Sequence, residues 1–199
     1  MAIFVKSNSS PLENTLRKIK SLYPLSDVSL KALIGIMQQR NLPKGEIILK
    51  ANKVEESVFF IEKGIARAYC DLPDNELTFW FGEEGDYIIS ARSLINRLPG
   101  YETIELMEDC ILYEINADEM IALFESNIEL ANWSRKLAEY ELLKLEERFI
   151  YRQFKTAKEI YMELLTNSPS LLQRVQLRYI ASYLGISQVT LSRIRAEIK

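Results

Sequence analysis

The sequence predicts an α+β fold: two helices, a sandwich or barrel of short strands, a long helix, and a closing pair of short crossed helices. Three observations predict it. From Leu42 to Ile115, short apolar runs alternate with Gly, Pro, Asn and Asp turn signals, the texture of an all-β unit. From about Asn127 to Leu165, apolar residues recur three and four apart, which is the helical period. The closing stretch, Arg174–Lys199, reads RVQLRYIASYLGISQVTLSRIRAEIK. It is two amphipathic segments broken at one glycine, a helix-turn-helix pattern.

Each element follows in order. Ser10-Pro11-Leu12-Glu13 puts a proline at a first helical position and an acid three residues after a serine, the pattern of a capped helix start. Leu12, Leu16, Ile19 and Leu22 form its apolar stripe, and Pro24 closes it. A second helix is expected from Ser26 to about Arg40, with Val28, Leu33, Ile34 and Met37 facing inward. Strands are expected at Glu46–Leu49, Ser57–Glu62, Ile65–Cys70, Glu76–Phe81, Tyr87–Ile89, Tyr101–Leu106 and Cys110–Ile115. Pro43-Lys44-Gly45, Lys63-Gly64, Asp71–Asn75, Gly82–Asp86 and Pro99-Gly100 separate them. Asn116-Ala117-Asp118-Glu119 starts a further helix with a capping acid.

In the long helical region, Leu130, Trp133, Leu137 and Tyr140 make one stripe, and Ala138, Leu142, Leu145 and Phe149 an adjoining one. A narrow apolar seam on so long a helix needs a partner, and a second copy of the chain supplies one. Leu130, Trp133, Leu137, Leu142 and Leu145 are therefore the expected dimerisation residues. Asn167-Ser168-Pro169-Ser170 breaks the helix. The chain divides into a sensor unit over residues 1–126, a dimerisation helix over 127–150 and a helix-turn-helix unit over 151–199.

Within that last unit, Ile180, Leu184, Ile186, Leu191 and Ile194 are apolar where two crossed helices bury side chains, and Ala181 is small where they approach. Gly185 stands at the turn, where a residue without Cβ takes positive φ at little cost. Ser187 can cap the second helix. That helix presents Gln188, Val189 and Arg193 as base-reading candidates. Arginine pairs with guanine O6 and N7, glutamine with adenine N6 and N7, and an apolar side chain touches a thymine methyl. Ser187, Thr190, Ser192 and Arg195 are placed as phosphate contacts, which set register. An Arg193–Glu197 ion pair four residues apart is the competing use of that arginine.

Composition sharpens this. The net charge of −3 is uneven. Arg174, Arg178, Arg193, Arg195 and Lys199 against Glu197 give the closing stretch +4, leaving −7 on the remainder. A basic end on an acidic body suits local contact with double-stranded DNA. There is no histidine, which removes histidine triads, histidine-ligated zinc and proximal-histidine haem. It also argues against a cupin-type enzyme. Cys70 and Cys110 are too few for an iron–sulfur cluster and read as small hydrophobes. No catalytic residue, metal or cofactor is expected. There is no 18-residue apolar run and no basic-then-apolar leader, so the expectation is a cytoplasmic chain without a membrane partner.

The order of sheet unit, long helix and helix-turn-helix resembles the Crp/Fnr family of bacterial transcription regulators, from about Leu22 to Ile198. Pro43-Lys44-Gly45-Glu46, Phe59-Phe60-Ile61-Glu62-Lys63-Gly64 and Gly85-Asp86-Tyr87-Ile88 are similar to motifs of its β-roll. Ile180–Ser187 and Thr190-Leu191-Ser192-Arg193 are similar to its helix-turn-helix. The resemblance implies an N-terminal jelly roll of the cyclic-nucleotide-binding type and a winged-helix-like C-terminal unit. It further implies a homodimer on an inverted-repeat operator, RNA polymerase as a candidate partner, and a small-molecule effector.

The ligand cassette departs from the family. Its cyclic-nucleotide binders carry Gly-Glu after the Gly-Asp-aromatic-Ile motif, and Arg-Ser or Arg-Thr ten residues beyond that Glu. Here Ile89-Ser90 and Gly100-Tyr101 stand there. Ser90, Arg92, Arg97 and Tyr101 remain as pocket candidates, and cyclic AMP is not the expected effector, because a buried phosphate needs its bidentate arginine. Gln176 replaces the usual Ser or Thr cap, and only six residues follow Arg193, leaving little sequence for a wing. The other reading left open is a sensor or interaction module whose helix-turn-helix no longer reads DNA.

Overall fold

The computed structural model describes residues 12–73 and 75–198; the expected cap at Ser10-Pro11 lies outside them. Helix α1 spans Glu13–Leu22. Its first turn offers unpaired N–H groups, which attract a negative charge. Glu62 supplies it: its buried carboxylate accepts from Glu13 N, Asn14 N and Thr15 N at 3.0, 3.1 and 3.0 Å. Helix α2, Asp27–Gly35, is capped by Ser26 Oγ, which accepts from Ser29 N. It ends well before the expected Arg40. Leu33 is fully buried, but Val28 is exposed rather than inward.

Residues Gln38–Leu42 form strand β1 instead of a helix end. The reason is tertiary: β1 pairs antiparallel with a strand at Cys110–Asn116, from Gln38↔Glu114 to Leu42↔Cys110. The polar run QQRNL shows no alternation that would reveal this. Then come β2 (Ile47–Leu49), β3 (Ser57–Lys63), β4 (Ala66–Asp71), β5 (Glu76–Gly82), β6 (Tyr87–Ile88), a short helix α3 (Ala91–Asn96), β7 (Thr103–Leu106) and β8 (Cys110–Asn116). Two four-stranded antiparallel sheets result, ordered β1-β8-β3-β6 and β2-β7-β4-β5. Phe59, Ile61, Ala68, Ile88, Ile104 and Leu112 fill the space between them. Val58 and Phe60 point out of the same β3 strand into a helical layer with Ile19, Leu33, Leu130 and Trp133. Both faces of β3 are covered, so its sequence is a continuous apolar run.

Helix α4, Ala117–Ser126, starts as expected, with Asn116 accepting from Asp118 N and Glu119 N. Helix α5 runs Ile128–Phe154 and then stops. Thr156 begins α6 (Ala157–Asn167) with a reciprocal capping box to Glu159, so the expected continuous helix to Leu165 is two helices. Proline 169 opens the short α7 (Pro169–Arg174), followed by α8 (Leu177–Leu184) and α9 (Gln188–Ile198).

The expected dimer seam is divided. Leu130, Trp133 and Leu137 pack into the roll of their own chain, and Trp133 Nε1 donates to Ile19 O at 3.0 Å. These three are therefore not available to a second copy. Leu142 and Leu145 stay exposed, as do Leu143, Phe149 and Phe154. Trp133→Ala is expected to lower folding stability by roughly 3–5 kcal/mol, the usual cost of emptying an aromatic core site, measured by urea unfolding.

Candidate nucleic-acid interface and effector cavity

Ile180, Ala181, Leu184 and Leu191 are buried, and form the crossing of α8 and α9. Gly185 ends α8 in the left-handed region, φ 68 and ψ 27, and Ile186 N donates back to Ala181 O at 3.0 Å. That closure requires positive φ, so glycine is the residue at least cost. Ser187 Oγ accepts from Thr190 N at 3.1 Å and caps α9. Gln176 precedes α8 without a side-chain cap bond.

Gln188, Val189, Thr190, Ser192, Arg193 and Arg195 are all exposed on α9. Glu197 pairs with Lys158 of α6 at 2.7 Å rather than with Arg193. Among the described residues, Arg193 and Arg195 make no ion pair. Three hydroxyls are partly engaged at home: Ser192 Oγ donates to Gln188 O at 3.0 Å, and Ser187 and Thr190 share a 2.9 Å bond. The basic end is also smaller than its count. Arg174 is spent on the roll, paired with Glu84 at 2.6 Å and with Glu108.

A cavity of about 370 Å³ lies between the β4–β5 pair and α5. Its walls are mainly apolar and aromatic, with Phe79, Trp80, Tyr87, Ile104, Leu145 and Phe149 prominent. The β4–β5 register shifts from Ala68↔Trp80 to Tyr69↔Thr78, so Phe79 is an extra, bulged residue. A bulge re-aims side chains, and here Ala68, Phe79 and Trp80 all reach the cavity. Trp80 lies across Gly82, where a Cβ would stand 2.1 Å from the indole. The glycine read from sequence as a turn signal is thus also a seat for this ring.

Of the sequence candidates, Arg92 and Tyr101 line the cavity. Ser90 is buried beside it, its Oγ without a partner. Arg97 turns away. It ends α3 with φ 54 and pairs with Asp118, so it is removed from the pocket set. Sequence reasoning missed Trp80, Glu102, Glu141, Arg148 and Phe149. Strand alternation could have offered Trp80 and Glu102; the α5 residues join only through tertiary packing.

Charge in the cavity is mixed. Asp86 and Glu141 are each 3.7 Å from Lys144. Glu102 is buried and accepts from Tyr101 N at 3.1 Å. Burial holds the Tyr87 phenol well above its ordinary range, with the nearby Glu141 adding to the effect, so this ring enters as a neutral donor. Gly100 is buried. A Cβ there would fall 2.5 Å from Ser90 Oγ and 3.0 Å from Glu102 Oε1. Among the described residues, no cluster of Cys, Asp and Glu is gathered to hold a metal, and no helix is long and apolar enough to cross a membrane.

A two-sheet roll with its cavity against a long helix is joined here to a helix-turn-helix. Residues 39–127 match the family model described as the cyclic nucleotide-binding domain. The fold is that of the Crp/Fnr regulators. It is similar to FixK2 from Bradyrhizobium japonicum, at 21% identity and TM-score 0.70 over 82% of this chain and 84% of that one. A protein from Eubacterium rectale assigned to the Crp/Fnr family is 18% identical, with TM-score 0.69 over 89% and 87%. The catabolite activator protein of Thermus thermophilus is 17% identical, with TM-score 0.58 over 91% and 86%. No curated protein sequence matches the chain.

Gly100→Ala is expected to destabilise by about 1–3 kcal/mol through overpacking. Adding Ser90→Ala should recover much of that loss. Thermal unfolding of the single and double variants checks both, and no recovery would mean that Ser90 is not the obstruction.

Proposed function

We propose that the chain is a homodimeric, sequence-specific DNA-binding transcription regulator of the Crp/Fnr type, whose roll cavity takes a small molecule other than a cyclic nucleotide. The observation that carries this is the α9 face: Gln188, Val189 and Arg193 stand exposed on a capped helix, and Glu197 is engaged elsewhere. An unpaired guanidinium on an exposed helix face is available to guanine. Likeness in fold to FixK2 and the catabolite activator protein supports the same reading.

The second copy is placed along the outer half of α5, where Leu142, Leu143, Leu145, Phe149 and Phe154 are exposed. Exposed apolar side chains gathered on one helix in this way suggest an interaction site. Leu142→Glu with Leu145→Glu would bury like charges in that contact, and light scattering should then report monomer. An unchanged dimer would move the interface elsewhere.

Two features argue against a cyclic phosphate in the cavity. Gly100 leaves no guanidinium at the cassette position, and the buried Glu102 carboxylate stands beside it. Calorimetry with cyclic AMP and cyclic GMP should give no heat of binding; micromolar affinity for either would overturn this part of the proposal.

Selection of bound fragments from a random duplex pool tests the DNA reading. An inverted repeat is expected, with half-site centres roughly 34 Å apart. Arg193→Ala should cost about 1–3 kcal/mol at the selected site and relax preference at one base pair per half-site. Arg195→Ala should weaken all sequences alike and flatten the salt dependence. Recovery of no sequence would favour the interaction-module reading.

A further inference from the structure

The helix-turn-helix is not tethered loosely to the roll. Ile65 and Met107 of the roll are buried in the same cluster as Tyr161, Ile180 and Leu191. On the edge strand β5, Ser182 of α8 does what a neighbouring strand would do. Its Oγ accepts from Thr78 N at 2.9 Å and donates to Glu76 O at 2.7 Å. Beside it, Arg67 of β4 is 1% exposed. Its guanidinium lies between the Tyr69 ring at 4.1 Å and the Tyr179 ring of α8 at 4.0 Å. It pairs with Glu76 at 2.7 Å and Glu105 at 3.0 Å, and donates to Thr78 Oγ1 at 3.3 Å. One side of this stack is roll and the other is recognition unit.

The same two strands carry the cavity. Ala68 and Trp80 line it, whereas Arg67, Tyr69 and Thr78 hold α8. The bulge at Phe79 separates the two uses along β5. Trp80 and Thr78, whose backbone N–H anchors Ser182, lie on the same strand either side of that bulge. The α9 face stays exposed while α8 is docked, so docking orients the recognition helix without covering it.

We propose that the Arg67–Tyr179 stack and the Ser182 clasp form the joint that orients α9 for two-fold DNA, and that the cavity acts on α9 through β4–β5 and this joint. The proposal rests on the reading of the chain as a regulator whose cavity is its effector site. It differs from transmission along α5 alone, because β5 joins cavity and α8 directly. A fixed orientation matters because two recognition helices must meet two half-sites at one spacing. Non-specific binding is carried by phosphate contacts and carries no such demand.

The test uses the full-length homodimer and operator DNA selected by the wild type. Tyr179→Leu and Ser182→Ala should each weaken operator binding roughly five- to a hundredfold, the usual range of coupling between sites. Binding to unselected duplex should not change. Tyr179→Phe keeps the ring over Arg67 and should bind operator like the wild type. Trp80→Leu, in the cavity, should weaken operator binding in the wild-type background, and little further in the Ser182→Ala background, since coupled sites are non-additive. Fully additive losses would overturn the route through β5. So would equal losses on operator and unselected duplex, or normal operator binding by both joint variants. If the wild type selects no sequence at all, the regulator reading itself fails, which is a different result.

Discussion

The burial of Trp133 sets the terms for everything C-terminal to the roll. Its ring is enclosed by Phe60 and Phe124, and its Nε1 donates to a main-chain carbonyl of α1. A buried indole loses its water, so it needs that acceptor, and the acceptor fixes the rotation of α5 about its axis. Once α5 is so fixed, the first half of its apolar stripe is consumed within the chain. The second half is carried past the roll, where Leu145 and Phe149 cover the cavity and Leu142 faces outward. One helix thereby supplies a core element, a cavity wall and an exposed apolar face in succession. Cavity and exposed face share side chains, so a change in one is felt by the other.

Among the described residues each sheet of the roll holds a buried charge that an element outside the sheet touches. Glu62 in β3 is satisfied by three N–H groups of α1. Arg67 in β4 is satisfied by Glu76 and Glu105 and stacked on Tyr179 of α8. Burying an ion is costly unless its partners are well placed, and a buried pair is weak evidence of stability but good evidence of position. Arg67 Nε keeps no partner, which raises the cost further. Burying apolar residues at these places would hold the layers together equally well. The Glu62 carboxylate restricts α1 to one orientation, because a slide would take its three N–H donors away.

Much of this was legible from sequence where local chemistry decides it. The turn at Gly185, the Ser187 cap and the Asn116 start each need particular residue types, and those types are present. The seven expected strands appear within a residue or two because their apolar runs are bounded by glycine and proline. Strand β1 was not legible, because QQRNL is polar and its pairing with β8 comes from the far side of the domain. The stop at Phe154 was missed for a different reason. Thr156 and Glu159 form a capping box, a signal the sequence does contain, but the helical period runs straight across it. The division of the α5 stripe could not be read at all, since inward and outward leucines have the same spacing. Arg97 and Arg174 were misplaced because a charge in sequence says nothing of its partner; Asp118 and Glu84 claim them.

The proposal that the cavity takes no cyclic nucleotide rests on the residues around Gly100. A cyclic phosphate requires a cation at short range inside a site of low dielectric. Here Gly100 cannot take even a Cβ without displacing Ser90 or Glu102. Glu102 is buried beside it, and Arg92 and Arg148 line the cavity elsewhere. Apolar and aromatic walls remain, built by Phe79, Trp80 and Ile104 and covered by Phe149. What the cavity can still reward is burial of an uncharged or donor-bearing body of matching size, since burial is roughly proportional to apolar area and needs no counter-ion.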